Sequence, residues 1–156
     1  MKPTIDEIVV VDHLAGSALA GEVAFLNARA AAVGARLANR ALAPLGLKVR
    51  SYSVLSLSSG DRPPSQRQLA EFLQLDPSQV VALVDDLERR DWVRRSNDHS
   101  DRRVKVVTAT EAGRDVCRRA ADATRAAEDV ALSMLDAAER TQLVALLRKA
   151  ALLDPR

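Results

Sequence analysis

With 156 residues, 47% of them apolar, the chain is long enough for one folded domain, or one domain with an extension, and too apolar to stay disordered. A formal net charge of +2 says little about partners, but its distribution says more: seven cations and three acids between Arg89 and Lys105 put +4 on that segment and leave −2 on the rest, an electrostatic footprint suited to a polyanion. One cysteine, Cys117, excludes an intrachain disulfide and a zinc cluster; Asp6, Glu7 and Asp12 interrupt any signal-peptide core, and no apolar run reaches bilayer-spanning length, so a cytoplasmic protein without membrane contact is expected.

Residues 1–15 fit either a short helix or an extended arm. From Ser17 to Ala43 there is no proline, and Val23, Leu26, Ala30, Val33 and Leu37 recur at three- and four-residue steps. That spacing predicts a long amphipathic helix, ended by Pro44 and Gly46. Val49–Ser58 predicts a short helix with Tyr52, Leu55 and Leu57 inward. The loop SSGDRPP follows, broken by Gly60, Pro63 and Pro64. In SQRQLAEFL, Ser65 is the expected N-cap, Gln68 completes a capping box, and Leu69, Phe72 and Leu73 form the buried stripe.

DPSQVVALVDDLERR is the best-marked helix. Asp76 caps it, Pro77 takes the first helical position, Gln79 completes a second capping box, and Val80, Leu83, Val84 and Leu87 share one apolar face. Only Gln74 and Leu75 separate it from the preceding helix, a spacing that predicts a helix-turn-helix. Trp92–Arg95 and Arg102–Thr108 then read as two strands around a turn at Asn97, Asp98, His99 and Ser100. A hairpin in that place is a wing. Thr108 or Thr110 caps a long helix running to about Leu135, and Asp136 with Glu139 opens a last helix carrying Leu143, Leu146, Leu147 and Ala150.

This order of elements resembles the MarR family of bacterial winged-helix transcription regulators. The resemblance rests on LGLKVRSYSVL (45–55), SQRQLAEFLQLDPSQVVALVDDLERR (65–90), the triplet Asp101-Arg102-Arg103 and TEAGR (110–114), and it covers roughly residues 17 to 153. It implies a mainly α fold, a winged helix-turn-helix with long N- and C-terminal helices forming a dimerisation region. The expected divisions are 1–45 (arm and dimerisation helix), 46–110 (DNA-binding lobe) and 111–156 (C-terminal dimerisation helices). It further implies a homodimer and an effector pocket between dimer interface and DNA-binding lobes. The chain departs from the family pattern in three places: His99 replaces a wing-turn proline, Asp91 replaces a glycine, and Val81 and Ala82 stand where small polar or basic residues are frequent. Asp91 matters if its backbone is left-handed, a conformation that aspartate tolerates better than most non-glycine residues.

Ser78, Gln79, Val81, Ala82 and Asp85 lie off the apolar stripe of the second helix and are the candidates to face the major groove. Ser and Gln can hydrogen-bond base edges; Val81 and Ala82 can only pack on thymine methyls. Against this, Gln79 could serve its cap alone, and Val81 could belong to the core. Asp85 is a poor neighbour for phosphate and suits the positioning of an arginine. Ser65 and Gln66 open the first helix, whose N-terminus favours a phosphate. In the wing, Arg102 and Arg103 alternate on the strand. The resemblance implies that Arg103 reaches the minor groove while Asp101 orients an arginine, either Arg95 or Arg103 itself. Arg94, Arg95 and Lys105 are generic phosphate contacts.

The resemblance also implies an effector, a small aromatic or phenolic carboxylate. Arg29, Arg36, Arg50 and Tyr52 are the polar groups nearest to where its pocket belongs, although each also reads as a surface or interface residue. His13 and His99 do not make a metal set, Cys117 reads as a half-buried inert thiol, and neither a cofactor nor a catalytic constellation is expected. The expected function is sequence-specific binding of double-stranded DNA by a ligand-responsive homodimeric repressor. The alternative is a winged-helix protein-interaction module.

Overall fold

The computed structural model describes residues 12–98 and 103–154. His99, Asp101, Arg102 and the expected arm before residue 12 therefore lie outside the described residues. Helix α1 (Asp12–Ala15) is one turn long, and a 3-10 turn, Ala18–Gly21, follows. The long N-terminal helix α2 (Val23–Leu42) starts later than Ser17, because Glu22 is extended (ψ 128°) and separates it from the 3-10 turn. A second 3-10 turn, Ala43–Leu45, carries Pro44, and Gly46 (φ 68°) closes it in the left-handed region that glycine enters without a Cβ penalty.

Helix α3 (Val49–Ser58) is started by two side chains: Asn39 Oδ1 accepts from the Val49 N–H at 2.8 Å and Ser51 Oγ from that of Lys48 at 2.9 Å. Then come α4 (Gln66–Leu73), α5 (Pro77–Arg89), strands β1 (Val93–Asn97) and β2 (Lys105–Ala109), α6 (Glu111–Ala131) and α7 (Ala137–Ala150). The strands pair antiparallel, from Val93 opposite Ala109 to Asn97 opposite Lys105. The fold is mainly α with a two-stranded wing. No helix among the described residues is long and apolar enough to cross a membrane.

Two compact units divide the chain, one made of Met1–Leu37 with Ala126–Arg156, the other of Ala38–Arg125. In the second unit, Leu42, Val54, Leu55, Leu69, Val80, Val84, Leu87, Val93 and Val107 are sealed from solvent in one core to which every element from α3 to β2 contributes. Alternation does this in the wing: Val93 and Ala109, paired opposite each other, share the inward face with Val107. The first unit differs. The apolar stripe of α2 buries Leu37 but leaves Val23 83% and Leu26 47% exposed, and α7 exposes Val144, Leu146 and Leu147. Its α6–α7 turn is nonetheless well tied: Arg140 donates to the Leu132 and Leu135 carbonyls and to Asp129, and Asp136 and Glu139 form the expected reciprocal cap.

Candidate nucleic-acid interface

The helix-turn-helix is built from caps. Ser65 Oγ accepts from the Gln68 N–H while Gln68 Oε1 accepts from the Ser65 N–H, so α4 opens with the expected capping box. The Pro64 carbonyl accepts from Val107 N–H at 2.8 Å, which fastens the entry of α4 to the wing. At the other end Gln74 adopts a left-handed backbone (φ 52°), and Gln74 and Leu75 both donate to the Ala70 carbonyl, turning the chain in two residues.

Helix α5 is capped by Asp76, but not through Gln79. Both the N–H and the hydroxyl of Ser78 donate to Asp76 Oδ1, and this hydroxyl, then the N–H, hold the Asp76 carboxyl below its ordinary pKa. The second capping box is thereby replaced by a nearer donor, and the Gln79 side chain stays exposed. Val80, Val84 and Leu87 are buried as expected. Ser78, Val81, Ala82 and Asp85 occupy the opposite side, all exposed, and Val81 at 42% does not belong to the core.

Arg95 takes a different place from the one expected of a phosphate contact. Its Nε donates to Gln66 Oε1 at 2.8 Å, Nη2 to Asp85 and Nη1 to Glu88, while the Arg95 backbone N–H donates to Glu88 as well. Burial works against this guanidinium, but hydrogen bonds and charge attraction from Asp85 and Glu88 outweigh it and raise its pKa above the arginine norm. Asp85 thus positions an arginine, as its chemistry suggested. One side chain of β1 is held by α4 and α5 together, and it carries Gln66 out of the set of uncommitted groups.

The wing and α4 each correct one further expectation. Strand β2 begins at Lys105, so Arg103 precedes the strand and the alternation argument does not apply to it. The Asp98 N–H donates to the Val104 carbonyl at 2.8 Å, closing the loop that holds Arg103. Arg94, Arg103 and Lys105 are exposed on this hairpin. Phe72 is 58% exposed rather than buried: it borders an open cleft of about 1020 Å³ with Leu57, Pro63, Arg94, Val104 and Val106.

The TEAGR segment caps α6 through Thr110, one of the two expected caps, and also fixes the base of the wing, which the sequence did not disclose. Thr110 Oγ1 accepts from Gly113 N–H, which caps α6, and donates to the Asp91 carbonyl at 2.6 Å. The Thr110 N–H donates to the Trp92 carbonyl at 3.0 Å, and Arg114 Nη1 to the Ala109 carbonyl at 2.7 Å. Nearby, Arg90 donates to the Gly46 carbonyl, pairs with Asp86 and lies 5.1 Å from the Trp92 ring centroid.

Of the effector candidates, Arg29 and Arg36 belong to the first unit; in the second, Arg50 is exposed and Tyr52 is half-buried against the core. Cys117 also packs half-buried against that core.

Residues 47–105 match the sequence model of the MarR family. Over 87 residues the chain is 31% identical to the HTH-type transcriptional repressor NicR of Pseudomonas putida, covering 56% of this chain and 55% of that protein. The chain spans about half the length of the curated relatives it matches. Among solved structures, CouR from Rhodococcus jostii RHA1, bound to p-coumaroyl-CoA, superposes with a TM-score of 0.81 at 38% identity, over 90% of this chain and 99% of that one. A MarR-family transcriptional regulator from Rhodococcus sp. RHA1 gives 0.82 at 37% identity, over 88% and 98%.

Proposed function

The chain belongs to the MarR family of transcriptional regulators, and on that premise we propose that it is a ligand-responsive repressor, acting in the cytoplasm as a homodimer on a pseudo-palindromic site in double-stranded DNA. The observation that carries this reading is the exposed stripe of α5, rigidly capped and locked through Arg95 to a hairpin that presents Arg94, Arg103 and Lys105. In such an arrangement α5 enters the major groove, Ser65 at the start of α4 and the wing cations take phosphates, and Arg103 reaches the minor groove. Asp101 and Arg102, next to Arg103 in sequence, are further candidates for DNA contact. Two copies place their recognition helices about 34–36 Å apart, one helical turn of DNA. The segments 1–45 and 111–156 supply the dimerisation region, and the exposed apolar stripes of α2 and α7 support that assignment.

The effector is a small aromatic or phenolic molecule, with Arg29, Arg36, Arg50 and Tyr52 as candidate partners for its polar groups. Support comes from CouR, which at 38% identity was solved with an aromatic acyl thioester. Binding shifts the separation of the two DNA-binding lobes and so the affinity for operator.

Titration of promoter-region DNA with the full chain by fluorescence anisotropy, across a salt series, tests the central reading. Selective binding with a steep negative log–log salt slope is expected, and Arg103→Ala should flatten that slope by about 0.9 for each phosphate that the variant leaves unneutralised. A folded protein that binds no double-stranded DNA at any salt would leave the protein-interaction reading in its place. Release of DNA by p-coumaroyl-CoA, p-coumarate or salicylate tests the effector class.

A further inference from the structure

The same stripe of α5 limits what kind of base pair it can read, and the following rests on its being the recognition helix. Ser78, Val81, Ala82 and Asp85 fall at three- and four-residue steps opposite the buried Val80, Val84 and Leu87, with Gln79 alongside. Two of the three polar groups in the stripe and beside it are already engaged. The single hydroxyl proton of Ser78 goes to Asp76, and the Asp85 carboxylate is held by the Arg95 guanidinium. The commonest specific contact in the major groove is an arginine or lysine on guanine, and α5 has no cation before Arg89 in its last turn. What remains able to donate is the Gln79 amide, beside the acceptor-only oxygen of Ser78 and the methyl groups of Val81 and Ala82. An apolar side chain distinguishes bases in the major groove through one feature, the thymine 5-methyl group.

We propose that this helix reads its half-site chiefly through thymine methyls packed on Val81 and Ala82, with Gln79 as the one bidentate hydrogen-bonding reader, directed at an adenine. The base pairs under the first two turns of α5 are then A·T pairs, and the specificity there comes from shape and apolar contact rather than charge. Asp85 is held through Oδ1 by Arg95, whose charge offsets its own, so it is a weakened acceptor for a cytosine amino group while that pair is intact.

The test starts from double-stranded DNA selected out of a random library by the full chain. In the selected site the thymines under α5 are replaced by 2′-deoxyuridine, which removes the 5-methyl and leaves every hydrogen-bonding edge unchanged. Wild-type affinity is expected to fall about fourfold for each methyl packed on the helix, the equivalent of burying one methylene-sized group. Val81→Ser, which alters an exposed position and leaves the core alone, is expected to bind thymine DNA correspondingly weaker and to lose that part of the uracil sensitivity. Gln79→Ala is expected to lose selectivity at one A·T pair and keep the uracil sensitivity. Selected sites rich in G·C under α5, or a wild-type affinity indifferent to uracil, would overturn the methyl readout and leave DNA binding standing. Failure to enrich any DNA overturns the regulator reading itself.

Discussion

Asp91 stands at a backbone position that an L side chain enters only at a cost. With φ at 56° it is left-handed, and it closes α5: its N–H donates to the Glu88 carbonyl and the next N–H, that of Trp92, to Leu87. A glycine at that position removes strain of roughly 1–2 kcal/mol, reduced for aspartate by its tolerance of this region and offset in part by the freer unfolded chain. Asp91→Gly is therefore expected to raise stability by about 0.5–1 kcal/mol and Asp91→Val to lower it by about 1 kcal/mol or more, read from urea denaturation midpoints. Gly113 is the opposite case. A Cβ built there would sit 1.9 Å from the Trp92 carbonyl oxygen, which is backbone and is itself held by the Thr110 N–H. Gly113→Ala must displace the start of α6 from the wing base, at an expected cost of at least about 3 kcal/mol. A melting curve for Gly113→Ala that overlays the wild type would show that this junction yields freely.

Among the elements, α5 is seated by its buried Val80, Val84 and Leu87 and tied to the wing by Arg95. Removing that side chain leaves Asp85 and Glu88 without their cation and Gln66 without its donor, a loss of about 1–2 kcal/mol once solvent screening of the half-exposed acids is allowed for. Arg95→Ala is expected to lower stability by that amount and to weaken DNA binding through the orientation of α5. Arg95→Lys should restore little, because an ammonium cannot span three acceptors as a planar fork does. The cap of α5 carries a pH signature. The folded-state pKa of Asp76 is depressed by Ser78, so its contribution is complete above the unfolded carboxylate value of about 3.9 and fades as pH falls through the lower folded value. Asp76→Asn should flatten the loss of stability below about pH 4 relative to wild type. These two devices were not equally legible beforehand. Caps at Ser65 and Asp136 show in the sequence because each partner lies three residues on, and the same pattern at Asp76 misleads about Gln79 because Ser78 offers two nearer donors. Arg95 could not be read, since Gln66 is 29 residues away and an arginine looks the same whether it faces phosphate or an acid. Phe72 shows the limit of periodicity: on an eight-residue helix, the border of a cleft has the spacing of a core.

At the scale of the whole molecule, most of the exposed large apolar side chains among the described residues belong to the first unit, where the proposed dimer would cover them. Helical spacing at Val23, Leu26, Ala30, Val33 and Leu37 marks a face to be buried, yet in a single chain Val23 is 83% exposed and only Leu37 is fully covered. Leu146 and Leu147 on α7 are in the same state, at 56% and 46%. Each such side chain is worth about 1.5–3 kcal/mol when fully buried, so covering this face would favour the proposed dimer. A charge placed there should undo it without touching either unit's interior. Leu146→Glu is expected to convert a dimer into a monomer by light scattering, and to abolish the rise of melting temperature with protein concentration that a folded dimer shows. Operator affinity should fall by about 10²–10⁴, the advantage of engaging two half-sites with one particle. The salt slope should drop to roughly half, since each monomer still neutralises its own share of the phosphates. A Leu146→Glu protein that stays dimeric and binds operator at full affinity would move the interface away from α7.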